Sequence, residues 1–147
     1  MTIEILLIFS LSYLSGSIPF GLILAKFFLN KDLRKIGSKN IGATNVLRTG
    51  NKLIAGLTLM FDITKGVIPV LLTKEYFTDL IYLSSLAAFL GHIFPVWLKF
   101  KGGKGVATYL GIMFVFSLNL SFIFCISWII ISLITKYSSL SSIMSAL

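Results

Sequence analysis

The chain has 147 residues, 56% of them hydrophobic, with 13 Lys and Arg against 5 Asp and Glu and a net charge of +8. Only 12% of its residues are charged, against roughly a quarter in soluble domains, and its mean hydropathy is +0.97. Apolar runs recur along the whole length, which excludes a soluble globule and, with it, a nucleic-acid partner as the explanation of the positive charge.

The expected fold is all-α: one domain over residues 1–147, a polytopic transmembrane helix bundle with about five spans, one of them short or broken. The N-terminus carries Glu4 and no early Lys or Arg, so it reads as a mature first span rather than a cleaved signal. That span covers 5–29 and is interrupted at Gly16 and Pro19 in "YLSGSIPFG". Such breakers are tolerated in a membrane where neighbours satisfy the freed backbone groups. Ser15, Gly16, Ser17 and Gly21 also permit close helix approach.

The second span is expected at 53–73 and the third at 80–98. Residues 105–135 are too long for one upright crossing and short for two. The polar "SLNLS" at 117–121 divides them into a segment 105–116 and a span 120–135. At about 1.5 Å per residue the first piece reaches under about 20 Å. "YSSLSS" then breaks the chain before a last helix of about five residues, too short to cross.

Charge sets the expected orientation. Lys31, Arg34, Lys35, Lys39, Arg48 and Lys52 crowd the 30–52 loop beside Asp32 alone, and Lys99, Lys101 and Lys104 follow the third span. By the positive-inside rule both loops face the cytoplasm and the N-terminus lies outside.

Both basic loops are rich in glycine. "FKGGKGVAT" offers Gly102, Gly103 and Gly105 for positive φ and close backbone approach, with Lys101 and Lys104 supplying charge and a helix starting at Val106. The G-x-x-x-x-G-K-[ST] pattern of a P-loop is absent. The bland reading is a tight interfacial turn whose lysines meet lipid headgroups. "GSKNIGATNVLR" is denser still. Arg48 has the planar fork that grips phosphate; Ser38, Asn40, Thr44 and Asn45 add hydrogen-bonding groups, and Gly37 and Gly42 suggest special backbone geometry. Helix capping accounts for one or two of these positions and not for all of them.

Within the spans, Asp62 and Lys65 stand at i and i+3, as a structural ion pair or as groups at the reaction centre. His92, the sole histidine, either hydrogen-bonds a neighbouring helix or acts as an acid or base. Cys125, the sole cysteine, lies in an apolar run and forms no intrachain disulfide. No metal cluster, paired carboxylate or activated nucleophile is evident, and no cofactor is implied. Such an inventory suits a site that positions two anionic substrates and lets their own groups react.

"SGSIPFG", "GSKNIGATNVLR", "DITKG", "GHIFPVWLKFKGGKGVAT" and "YSSLSSI", in this order and spacing, closely resemble the bacterial membrane-integral glycerol-3-phosphate acyltransferases that use acyl phosphate as donor. The resemblance covers nearly the whole chain. It implies acyl transfer to the 1-hydroxyl of sn-glycerol 3-phosphate in the bacterial inner membrane, giving lysophosphatidic acid and phosphate, with membrane lipids as surroundings. It implies that Ser38 and Arg48 are the essential pair of the first loop, that the glycines and Lys104 of "KGGKG" bind phosphate, and that Ser142 joins the same site. Asn45, Thr44 and Lys101 are weaker candidates. The family continues through further spans to a motif with a His, a Glu and an Asn, so at Leu147 the chain is expected to lack roughly a quarter of the usual length. The rival readings are a small carrier of phosphate-bearing solutes and a shortened member without catalytic activity.

Overall fold

The computed structural model describes residues 2–147, and every regular element among them is helical. The first span is two helices, α1 (Thr2–Ser17) and α2 (Phe20–Leu29). The sequence suggests an interruption at Gly16 and Pro19, but the helix runs through Gly16 and stops at Ser17. Pro19 has no N–H to extend it. Gly16 serves packing instead: a Cβ there would fall on the backbone of Ala88.

At the break the carbonyl of Ile18 accepts only from Phe20 N, at 3.1 Å, along the backbone. Lys65 Nζ donates to it at 2.7 Å, while lying 2.8 Å from Asp62 Oδ1. Both residues are buried, at 3% exposure each. The latter contact is an ion pair and not an aligned hydrogen bond, so Asp62 Oδ1 has no hydrogen-bond partner among the described residues. The charged pair expected on the second span is formed, its cation also caps the broken first span, and Asp62 lines a cavity.

A short α3 (Ala43–Leu47) precedes α4 (Lys52–Tyr76), which is 25 residues long, or about 37 Å. Asn51 caps α4, its Oδ1 accepting from Ile54 N at 3.0 Å. Pro69 lies inside α4 and cannot donate to the carbonyl of Lys65. The hydroxyl of Ser15, on α1, donates to that carbonyl at 3.2 Å. A defect in one span is thus satisfied by a polar side chain from another.

After a single turn at Thr78–Leu80, α5 (Ile81–Ile93) runs parallel to α1. Ser12 and Ser84 share a hydrogen bond of 2.9 Å, and Trp97 Nε1 donates to Ser17 Oγ at 2.8 Å. The next helix, α6 (Val106–Phe116), has 11 residues, about 16 Å. It runs parallel to α4. Near its start Thr108 Oγ1 donates to the Asp62 carbonyl at 3.0 Å, and near its end the Val115 carbonyl accepts from Lys74 Nζ at 2.9 Å. Hence α6 begins at the depth of Asp62 and accompanies only the second half of α4.

Ser117 alone separates α6 from α7 (Leu118–Thr135), its Oγ accepting from Leu120 N at 3.3 Å. The last element, α8 (Ser138–Ala146), has nine residues. Here the reading of "YSSLSS" as a break is corrected. Its first residue, Tyr137, is the N-cap and the remainder is helical; the chain turns at Lys136, where φ is 60°. Among the described residues four helical segments are long and apolar enough to cross a membrane, with α6 as a shorter apolar helix. The parallel pairs α1/α5 and α4/α6 place segments 30–52 and 99–105 at one end of the bundle. The start of α1 and the 77–80 turn lie at the other.

Candidate active site

The first basic segment folds around Asn45, which is 1% exposed. Its Nδ2 lies 3.0, 3.1 and 2.7 Å from the carbonyls of Leu33, Ile36 and Asn40, its two protons shared among the three, and its Oδ1 accepts from Ser38 N at 3.1 Å. Asn40 Oδ1 accepts from Gly42 N at 3.1 Å. Much of the polar density of "GSKNIGATNVLR" is thereby used within the segment. Gly37 has φ 50°, and a Cβ there would lie 2.6 Å from Asn45 Oδ1 and 3.0 Å from Arg48 Cδ. The Arg48 side chain therefore lies against Gly37, next to Ser38. Gly42 has an ordinary φ of −85°, so of the two glycines only Gly37 has the expected special geometry; Lys39, at φ 58°, shares it. Leu33, Ile41 and Val46 are buried and anchor the segment; Leu33 and Val46 pack with Ala25, Ile54 and Ala55.

The second segment departs from its expected geometry. Positive φ occurs at Gly105 (80°) and not at Gly102 or Gly103. Gly102 N donates to the Ile93 carbonyl at 2.9 Å and Gly103 N to the His92 carbonyl at 3.1 Å. These amides are already engaged, so the two glycines allow close packing rather than forming an anion nest. A Cβ on Gly102 would fall on the His92 carbonyl, and one on Gly103 on His92 Nε2. Gly105 is the N-cap of α6 and brings no side-chain cap. The first N–H groups of α6 thus remain available.

A cavity of about 670 Å³ lies beside this helix start. Ser38 and Arg48 from the first segment, Lys104 and Gly105 from the second, and Ser142 from α8 all line it. So do Asn40, Thr44, Asn45 and His92, whereas Gly37, Lys101, Gly102 and Gly103 are not part of its wall. Lys52, Lys136 and Trp128 also border it. In the sequence Lys52 is explained by topology and Trp128 by its place in an apolar span, and Lys136 lies just past the end of that span.

Four cations, Arg48, Lys52, Lys104 and Lys136, face the cavity, and its one acid, Asp62, is paired with Lys65. The site is therefore built for anions. Arg34 is occupied elsewhere, with Nε and Nη2 donating to Asp32 at 3.0 and 2.9 Å. That hydrogen bonding holds the Asp32 carboxyl down at about 2.

At the cavity floor His92 is 4% exposed, its Nδ1 3.1 Å from Thr108 Oγ1. Thr108 spends its single proton on the Asp62 carbonyl, so the proton shared with His92 belongs to Nδ1. On α8, Ser142 Oγ donates to the Ser138 carbonyl at 2.7 Å and accepts from Trp128 Nε1 at 3.0 Å. Leu59, Leu110, Phe124 and Ile129 give the cavity an apolar side.

The glycerol-3-phosphate acyltransferase family model matches residues 6–147. Among curated relatives, the glycerol-3-phosphate acyltransferase of Pelagibacter ubique is 60% identical over 144 residues, covering 98% of this chain and 75% of the relative. That of Bartonella henselae is 55% identical over 147 residues, covering 96% and 69%. The chain also superposes on crystal structures of PlsY, an integral membrane glycerol 3-phosphate acyltransferase. For the glycerol 3-phosphate form the TM-score is 0.90 at 41% identity, covering 97% of this chain and 72% of the other. For the lysophosphatidic acid form it is 0.87 at 39% identity, covering 97% and 71%. The match in sequence, in fold and in a cationic cavity assembled from distant segments places this chain in the membrane-integral glycerol-3-phosphate acyltransferase family.

Proposed function

We propose that residues 1–147 act as one domain that transfers a fatty acyl group from acyl phosphate to the 1-hydroxyl of sn-glycerol 3-phosphate. The observation that carries this reading is that Ser38, Arg48, Lys104 and Ser142 line one cavity that is cationic on one side and apolar on the other. Two phosphate-bearing substrates need such a site, because a buried phosphate dianion needs paired cations and oriented N–H groups.

Arg48 and Lys104 hold phosphate with the free amides of the α6 N-terminus, whose dipole favours the same charge. Ser38 and Ser142 add hydroxyls, and Asn45 and Gly37 set the positions of Ser38 and Arg48. The acyl chain lies against Leu59, Leu110, Phe124 and Ile129. The glycerol oxygen attacks the acyl carbonyl, the bond from that carbon to the phosphate oxygen breaks, and the hydroxyl proton passes to a phosphate oxygen. The products are 1-acylglycerol 3-phosphate and inorganic phosphate. His92 is the alternative proton acceptor. Both basic segments face the cytoplasm of a bacterial inner membrane, which follows from their excess of Lys and Arg.

The test is purified protein in detergent or liposomes with palmitoyl phosphate and glycerol 3-phosphate. Stoichiometric lysophosphatidic acid and phosphate support the reading; product formed only with acyl-CoA, or counterflow of labelled glycerol 3-phosphate without acylation, overturns it. For orientation, a Lys39→Cys variant in a Cys125→Ser background should resist impermeant thiol reagents in intact cells.

A further inference from the structure

Gly56 differs from every other glycine in the helices. Gly16, Gly21, Gly66, Gly91 and Gly111 each lie against a neighbouring backbone, so that a Cβ would strike a carbonyl oxygen. Each has a packing reason. Gly56 has none: a Cβ built on it meets nothing within 4 Å, and its φ is not positive. Yet it sits in the first half of α4, where glycine is the poorest helix former after proline. No cap, turn or close approach explains it.

What Gly56 does border is the cavity. Lys52, Ala55, Gly56, Leu59 and Asp62 all line it from α4, and their spacing puts them on one helical face. Across the cavity, α7 contributes Phe124, Trp128 and Ile129. The flanking Leu59 and Ile129 are 45% and 53% exposed, so the wall opens sideways between α4 and α7 at this level. Any side chain at position 56 would project into that opening.

We infer that Gly56 is a specificity-determining position: its missing side chain keeps open the passage through which the tail of a long acyl donor runs from the cavity toward the bilayer. The inference rests on the proposed acyl transfer and deepens it by naming what admits the long tail. The tail of a short donor ends before the passage and is indifferent to residue 56, while a long one must pass it. In a hydrophobic pocket one methylene of misfit changes kcat/KM by roughly 10–200-fold.

The experiment compares hexanoyl phosphate with palmitoyl phosphate as donor for the wild type, Gly56→Ala, Gly56→Leu and the lipid-facing control Met60→Ala. Gly56→Leu should lower kcat/KM for palmitoyl phosphate about tenfold or more relative to hexanoyl phosphate, with KM for glycerol 3-phosphate unchanged. Gly56→Ala should shift the ratio in the same direction by less, and its better helix propensity keeps the variant folded. Met60→Ala should leave the ratio at the wild-type value. Equal loss with both donors, or no change with either, overturns the role of Gly56 while leaving acyl transfer standing. A wild type inactive with both acyl phosphates removes the underlying reading and this inference with it.

Discussion

The side-chain oxygen of Asn45 accepts the backbone N–H of Ser38 at 3.1 Å, so a residue seven positions away fixes where Ser38 stands. The two protons of the Asn45 amide nitrogen are shared among three carbonyls. Asn45 is thus the organiser of the first basic segment, and its donors are fully occupied.

Asn45→Asp keeps the shape and removes the donors. Three carbonyls then face a carboxylate; those of Leu33 and Ile36 keep Ile36 N and Lys39 N as partners, and leaving the Asn40 carbonyl unpaired costs about 1–3 kcal/mol beyond the charge repulsion. Activity should fall at least about 100-fold. Asn45→Ala, which removes the same donors without adding charge repulsion, should fall less. Turnover assays beside a thermal melt in detergent check this; an Asp variant as active as wild type would show that the segment is not held by this residue.

Lys65 is expected to matter for stability before chemistry. Lys65→Met leaves the Ile18 carbonyl without its cap and Asp62 without its cation. Breaking a buried pair from one side costs about 3–5 kcal/mol, which corresponds to a melting point lower by about 10 °C. Adding Asp62→Asn should recover part of the loss. A double variant no better than the single one would contradict the pairing.

Trp128 and Ser142 should behave as a unit. Trp128→Phe removes the N–H that reaches Ser142 Oγ at 3.0 Å and keeps the ring. The expected result is a several-fold rise in KM for glycerol 3-phosphate with kcat little changed, a similar rise in Ser142→Ala, and a double variant no worse than either, as groups acting through one contact are non-additive. Additive effects would place the two residues in separate roles.

His92 divides two mechanisms. If the hydroxyl proton goes to phosphate, His92→Gln lowers the rate through the displaced Gly103 turn and leaves the shape of the pH–rate profile unchanged. Loss of one limb of that profile would instead make His92 the base.

Much of the architecture was legible in the chain itself. Length and hydropathy alone dictate how many segments can cross, because a hydrocarbon core accepts only helices of sufficient length. Hence the spans, the short Val106–Phe116 helix and its start after Gly105 all appear where expected. Charge sorting likewise puts the two glycine-bearing segments together at one end. Lys52, Lys136 and Trp128 were not legible as cavity walls, because cations at span ends and a tryptophan within a span are ordinary in membrane helices and nothing local marks them.

What sequence could not decide is how each polar group is spent. "GSKNIGATNVLR" advertises its donors and acceptors equally, but only the folded segment assigns Asn45 to its own carbonyls and leaves Ser38 and Arg48 to the cavity. The glycines of "KGGKG" look alike in the chain; in space two are pressed against His92 and Pro95 and one turns the backbone into α6. Composition and periodicity report which groups are present and which face is apolar, since those follow from neighbours along the chain. Whether a hydrogen bond is already satisfied depends on groups distant in the chain, 50 residues for Ser15 and the carbonyl of Lys65 and 80 for Trp97 and Ser17, and that is a property of packing alone.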